Sequence, residues 1–303
     1  MKENITDKKW FLYVLVVIAA TMWGMSYFGT KVALESLEPM QILTLRWTIS
    51  TAVFFLLAVL KIIKVNFKGK PIKILLIVGA IQPCLYSVFE TMGINFTTTS
   101  ESSIFIATIP IFVLILGSII FKVRPTKRTV LAVVIAFIGV ATCIVFAPGF
   151  SVGGKGLGYI MLIGAVLSGA VYSHVSNRAA KNFNTIELTF GIATMGGIFF
   201  NIINFSMGYG FSTYTACIGD MKLTVAILFL GICCSAICYI VYNFALAKLP
   251  AAIATNIMAN LNTVVGVLSG ILFAGDDFGW YIIIGLALTL CGIGITTLEG
   301  NKA

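Results

Sequence analysis

Apolar runs of about 20 residues, parted by short polar or glycine-rich breaks, recur from one end of the chain to the other. That is the length of helix needed to span about 30 Å of hydrocarbon. Segmenting on apolar runs, with Gly, Pro and charge as punctuation, predicts spans at 11–34, 40–60, 72–93, 99–121, 129–147, 157–177, 185–206, 223–246, 251–273 and 278–298. The connections are short and leave little extramembrane structure. The first apolar run continues well beyond the 7–15 residues of a secretory signal core, so it reads as a retained span. One run, "TLRWTISTAVFFLLAVL" at 44–60, carries Arg46 two residues after it begins.

Composition agrees with the pattern. Hydrophobic residues make up 59% of the 303 residues and charged residues 10%, and mean hydropathy is +1.04. An ordinary soluble domain carries about 25% charged residues, so a water-soluble fold is excluded. The net charge of +9 does not imply nucleic acid. Of the 20 basic residues, all but Lys31, Arg46, Lys155 and Lys222 fall on one side of the membrane if the N-terminus is cytoplasmic. Such an imbalance assigns both termini to the cytoplasm. The seven cysteines have no metal-ligand spacing and read as small packing residues.

The stretch "PGFSVGGKGLG" (148–158) divides five spans from five. "LILGSIIF" (114–121) in the fourth span matches "GVLSGILF" (266–273) in the ninth, and "IGVATCI" (138–144) resembles "CGIGITT" (291–297). Tyr27 and Tyr172 hold corresponding places in the first and sixth spans. An odd number of spans per half makes the second half enter from the opposite face, the inverted repeat of secondary transporters, with a substrate site near the midplane. The expected fold is therefore an all-α integral membrane protein of ten transmembrane helices in two inverted five-helix repeats, 11–147 and 157–298, joined by a loop at 148–156.

"MWGMSYFGTKVALE" (22–35), "LR" (45–46), "TIPIFVLILGSIIF" (108–121) and "AFIGVATCI" (136–144) resemble the ten-helix EamA-type branch of the drug/metabolite transporter superfamily. The resemblance covers nearly the whole chain. It implies a multi-pass cell-membrane exporter of amino acids, other small metabolites or drug-like compounds, working without a bound cofactor. Two positions depart from the family pattern. Arg124 stands where an acidic residue often follows the fourth helix, and Asn262 is the ninth-span counterpart of Pro110.

Side chains four apart share a helix face. Gln82, Tyr86 and Glu90 have that spacing in the third span, as do Ser235, Tyr239 and Asn243 in the eighth and Asn256 with Asn260 in the ninth. Gln82, Ser235 and Asn260 lie roughly midway through their spans, where an alternating-access site belongs. The same groups could instead hydrogen-bond between helices, at roughly 0.6 kcal/mol each. Trp23 and Tyr27 in the first span, and Tyr172 in the sixth, offer rings to cover an organic substrate.

Arg46 lies roughly 9 Å below the outer end of its helix at 1.5 Å per residue, in the same outer third as Lys31, Glu90 and Glu101. Three readings stand: snorkelling to the interface, a tether to Glu90 or Glu101, or part of an outer gate or anion site. Glu90 is also the candidate carboxylate for a coupling proton. His174 reads as solvated or hydrogen-bonded, and Glu187 as a local ion pair across from Arg178 and Lys181. With one histidine, no metal-like cluster and no phosphate-binding loop, an enzyme is disfavoured. The chain reads as a secondary transporter in the lipid bilayer with a small-molecule substrate. Export of amino acids or related metabolites leads, ahead of broad efflux of amphipathic drugs and cations and, last, a membrane-embedded enzyme. Oligomeric state is not encoded legibly.

Overall fold

The computed structural model describes residues 9–120, 126–146, 154–248 and 251–300; side chains are described from Val14 on, except at 129, 144, 154, 251–254, 256, 257, 293 and 296–300. Among the described residues every regular element is helical. Apart from a single helical turn at Ser212–Thr215, these are, in chain order, α1 (Lys9–Leu34), α2 (Pro39–Val59), α3 (Ile72–Phe96), α4 (Thr99–Ile120), α5 (Lys127–Val145), α6 (Gly154–Ala179), α7 (Thr185–Ser206) and α8 (Met221–Lys248). Then come α9 (Ala251–Ser269, continued by a π turn over Gly270–Ala274) and α10 (Trp280–Gly300). The bounds fall within a few residues of the predicted spans. Residues 154–156, read above as loop, form the first turn of α6.

Seven of these helices are long and apolar enough to cross a membrane, and α5, α9 and α10 contribute shorter apolar stretches. The distribution of side chains is inverted relative to a soluble protein. Leu56, Ile119, Ile160 and Ile202 stand exposed, whereas Ser50, Gln82, Ser103, Ser173, Ser235 and Asn243 are buried. Apolar faces outward and polar groups paired inward are what a hydrocarbon solvent selects.

The helix pairings follow a pattern. α5 packs along α10, α2 along α7, α1 along α9 and α8, and α6 along α3 and α4. Exchanging α1–α5 for α6–α10 in order maps α1–α9 onto α6–α4 and α1–α8 onto α6–α3, and leaves α2–α7 and α5–α10 paired as before. The α1–α9 crossing is close because Gly24 lacks a side chain: a Cβ there would lie 2.5 Å from Val265 Cβ and 2.9 Å from the Asn262 carbonyl oxygen. Small residues permit such approaches in membranes.

Helix ends are tied by capping boxes. Glu38 and Gln41 cap α2, Thr98 and Glu101 cap α4, and Asn184 and Glu187 cap α7. Two of these acids have partners other than those expected. Glu187 pairs not with Arg178 or Lys181 but with Lys70, and it also accepts from the Asn66 backbone, so it ties the α2–α3 connection to α7. Glu101 pairs with Lys155 at 3.3 Å and accepts from the Tyr159 hydroxyl at 3.0 Å, which leaves Arg46 to another carboxylate.

Three interruptions shape the interior. Ala80–Tyr86 in α3 and Phe229–Ile237 in α8 are wound as π-helix. The first contains Pro83, whose missing N–H breaks the α pattern. The second frees two carbonyls for neighbours: Cys234 accepts from the Trp23 indole at 3.0 Å and Ser235 from the Ser50 hydroxyl at 3.0 Å. α4 breaks between Ile106 and Ile109, just ahead of Pro110, because proline has no N–H for the carbonyl four residues back, that of Ile106, and its ring crowds that carbonyl.

Candidate functional site

The interruptions in α3 and α4 border one cavity. It encloses about 70 Å³, and a water needs roughly 10–15 Å³ by this measure, so it has room for a few waters. α1 contributes Trp23, Ser26 and Tyr27, α2 Arg46, and α3 Gln82, Tyr86 and Glu90. α4 adds Ile106 and Ile109 from either side of its break, and α6 adds Gly169 and Tyr172. α8 supplies Tyr239 and Tyr242, and α9 Thr255, Met258, Ala259 and Asn262.

The wall is stiffened by rings and shared hydroxyls. Trp23 meets Tyr239 and Tyr242 edge-on, with centroids 5.2 and 5.3 Å away. Gln82 donates its amide to the Tyr239 hydroxyl. Tyr172 donates to Asn243 Oδ1 at 2.6 Å, Ser176 to the same oxygen at 2.8 Å, and Asn243 donates onward to Thr189 at 3.0 Å. Asn262 donates to the Tyr27 hydroxyl at 3.3 Å, while its own carbonyl oxygen, buried, accepts nothing among the described residues.

Arg46 is 3% exposed, so it does not snorkel. Its Nε donates to Ser235 Oγ at 2.5 Å and its Nη1 lies 3.7 Å from Glu90 Oε2. Glu90 accepts at its other oxygen from the Tyr86 hydroxyl at 2.8 Å. A cation from α2 and a carboxylate from α3 thus meet in one wall, and a hydroxyl from the π stretch of α8 holds the cation from behind.

Comparison with known proteins places this architecture. The EamA-like transporter family model matches residues 10–145 and again 156–298. The chain belongs to the EamA-like transporter family. This transporter is 24% identical over 285 residues to the uncharacterized transporter YcxC of Bacillus subtilis (strain 168), covering 93% of this chain and 91% of that one. It is 27% identical over 290 residues to an uncharacterized transporter of Archaeoglobus fulgidus, covering 94% and 97%. A solved crystal structure superposes with a TM-score of 0.71 over 97% of this chain and 99% of its own, at 15% identity, a likeness of fold alone. The family and these relatives carry the name transporter rather than that of an enzyme, and the chain is a multi-pass protein of the cell membrane.

Of the side chains singled out from the sequence of this transporter, Trp23, Tyr27, Gln82, Tyr86, Tyr172 and Tyr239 line the cavity together with Arg46 and Glu90. Ser235 and Asn243 stand behind the wall and hold Arg46 and Tyr172. Asn260 is half-buried and off the lining, and the Asn256 side chain lies outside the described residues, as does Arg124. Lys31 and Glu101 are away from the cavity; Lys31 is half-buried, with Asp276 and Glu101 as the acids acting on it. His174 bonds the Val113 carbonyl at 2.8 Å, between α6 and α4. Sequence reasoning missed Ser26, Tyr242, Thr255 and Met258, and noticed Asn262 without assigning it to the cavity. Tyr242 lies one turn from Tyr239, a usable signal, whereas Met258 and Ala259 look like any other apolar residues of a membrane helix.

Proposed function

We propose that this transporter works by alternating access and exports amino acids or related small metabolites, taking its substrate into the cavity between α1, α3, α6 and α8. The carrying observation is the lining itself: a buried guanidinium and carboxylate beside Gln82, Asn262 and an aromatic wall. Such a set suits small polar organic molecules with an apolar part. We read residues 11–147 and 157–298 as two five-helix repeats of opposite orientation, giving ten crossings with both termini in the cytoplasm. The exchange symmetry of the helix pairings and the π stretch in the third helix of each half support this reading.

Efflux of lipophilic cations is the second reading, favoured by the rings around Trp23. It ranks lower because Glu90 is already compensated by Arg46, and a bulky cation attracts a carboxylate left without a partner. If a proton is coupled to export, Glu90 is the cavity carboxylate through which it acts. The deciding experiment is efflux from proteoliposomes loaded with labelled amino acids or with a fluorescent cation. Amino-acid efflux that falls at least about tenfold in Gln82→Ala, 1.4 kcal/mol in affinity terms, supports the first reading. Cation efflux alone would replace it with the second.

A further inference from the structure

Arg46 carries five N–H donors in a planar fork. One is used by Ser235 Oγ; the terminal nitrogens make no hydrogen bond to protein among the described residues, and the nearer one stands 3.7 Å from Glu90 Oε2. A closed charge-assisted pair sits at about 2.7–2.9 Å, so this pair is drawn together yet unclosed. Glu90 shows the same incompleteness, since its Oε1 accepts from Tyr86 while Oε2 accepts nothing among the described residues. Asn262 Oδ1, 7% exposed as a residue and lining the same cavity, is a further acceptor without a donor. A buried guanidinium with idle donors and a buried carboxylate with an idle oxygen are costly to keep.

We infer that the Arg46–Glu90 pair is a recognition subsite for a zwitterion, in which a substrate carboxylate takes the Arg46 fork and a substrate ammonium takes Glu90 Oε2 and Asn262 Oδ1. The inference rests on the transport reading above and sharpens it to molecules bearing both charges close together. One long ion pair is exchanged for two short ones, and the site stays neutral throughout. A ligand with a single charge would leave either Arg46 or Glu90 facing an uncompensated neighbour. The ring of Tyr86, fixed by its bond to Glu90, flanks the ammonium position. Ile106, Ile109 and Met258 leave apolar space for a small side chain.

The test is thermal unfolding of the purified full chain with matched triads: each neutral amino acid, the amine left by its decarboxylation, and the acid left by its deamination. The expected result is at least one triad in which the amino acid alone raises the melting temperature, by about 3 °C or more at saturating concentration. Glu90→Gln leaves a net positive site and shifts preference at least about tenfold toward the deaminated acid, which is 1.4 kcal/mol. Arg46→Gln shifts it equally toward the amine. Arg46→Gln/Glu90→Gln, with no charge left to strand, folds and prefers neither. Stabilisation of the wild type by an amine or acid as strong as by its amino acid, or by no member of any triad, would overturn the subsite. So would variants that fold and keep wild-type preference; if a single variant fails to fold, the wild-type triads decide. Proteoliposome efflux separates the two readings: movement of amines alone keeps transport and removes the subsite, whereas zwitterion binding without efflux keeps the subsite and removes amino-acid export.

Discussion

A guanidinium buried among membrane helices needs acceptors from whatever surrounds it, and those of Arg46 come from two other helices. Ser235 Oγ takes its Nε and Glu90 faces its terminal nitrogens. Ser235→Ala therefore strands a charged N–H, and the expected loss is about 1–3 kcal/mol of stability, read as a lower melting temperature in detergent. Substitution to Thr, which keeps the hydroxyl, should recover part of it. The residues nearest this pair were the most legible in the sequence, because charge and amide groups stand out against an apolar background. Gln82, Tyr86 and Glu90 declare one face by their spacing, and all three reach the cavity. Asn243 and Ser235 shared that signal yet act from behind the wall, since periodicity gives a face and not a depth. Asn262 was noticed only as the counterpart of Pro110; nothing local in the sequence shows that its carbonyl oxygen would be buried without a donor.

At the scale of elements, span lengths were readable from hydropathy while interruptions were not. The π stretch in α3 contains Pro83, a visible hint, but the one in α8 runs through "FLGICCSAI" with no proline, so its winding comes from tertiary contacts. Those contacts are the indole of Trp23 and the hydroxyl of Ser50 on carbonyls of that stretch. Glu187 shows a similar limit. Its capping box is written in "NTIE" (184–187), but its partner Lys70 is 117 residues away in sequence. Because Glu187 both caps α7 and holds the α2–α3 connection, Glu187→Ala should cost about 1–3 kcal/mol. Lys70→Ala, which removes only the partly exposed cation, should cost less than about 1 kcal/mol. Chemical or thermal unfolding of the two variants side by side measures the difference, and equal losses would mean that capping contributes little.

For the molecule as a whole, the internal matches suggest the two repeats proposed above, whereas the pairings between helices of the two halves had no signature in sequence. The orientation is open to direct measurement. In a background with the seven native cysteines replaced, Lys68→Cys should react with a membrane-impermeant thiol reagent only from the cytoplasm, and Tyr209→Cys only from outside. Labelling of both from one side would contradict opposed repeats. The balance of Arg46 against Glu90 also has an electrical meaning. A zwitterion carried past a neutral pair moves no net charge, so the membrane voltage does no work on that step. One elementary charge crossing the membrane would add about 2.3 kcal/mol per 100 mV. If amino acids are exported as proposed, any accompanying current in a voltage-clamped bilayer counts coupling ions rather than substrate, and a silent cycle would mean that the whole cycle, coupling included, moves no net charge.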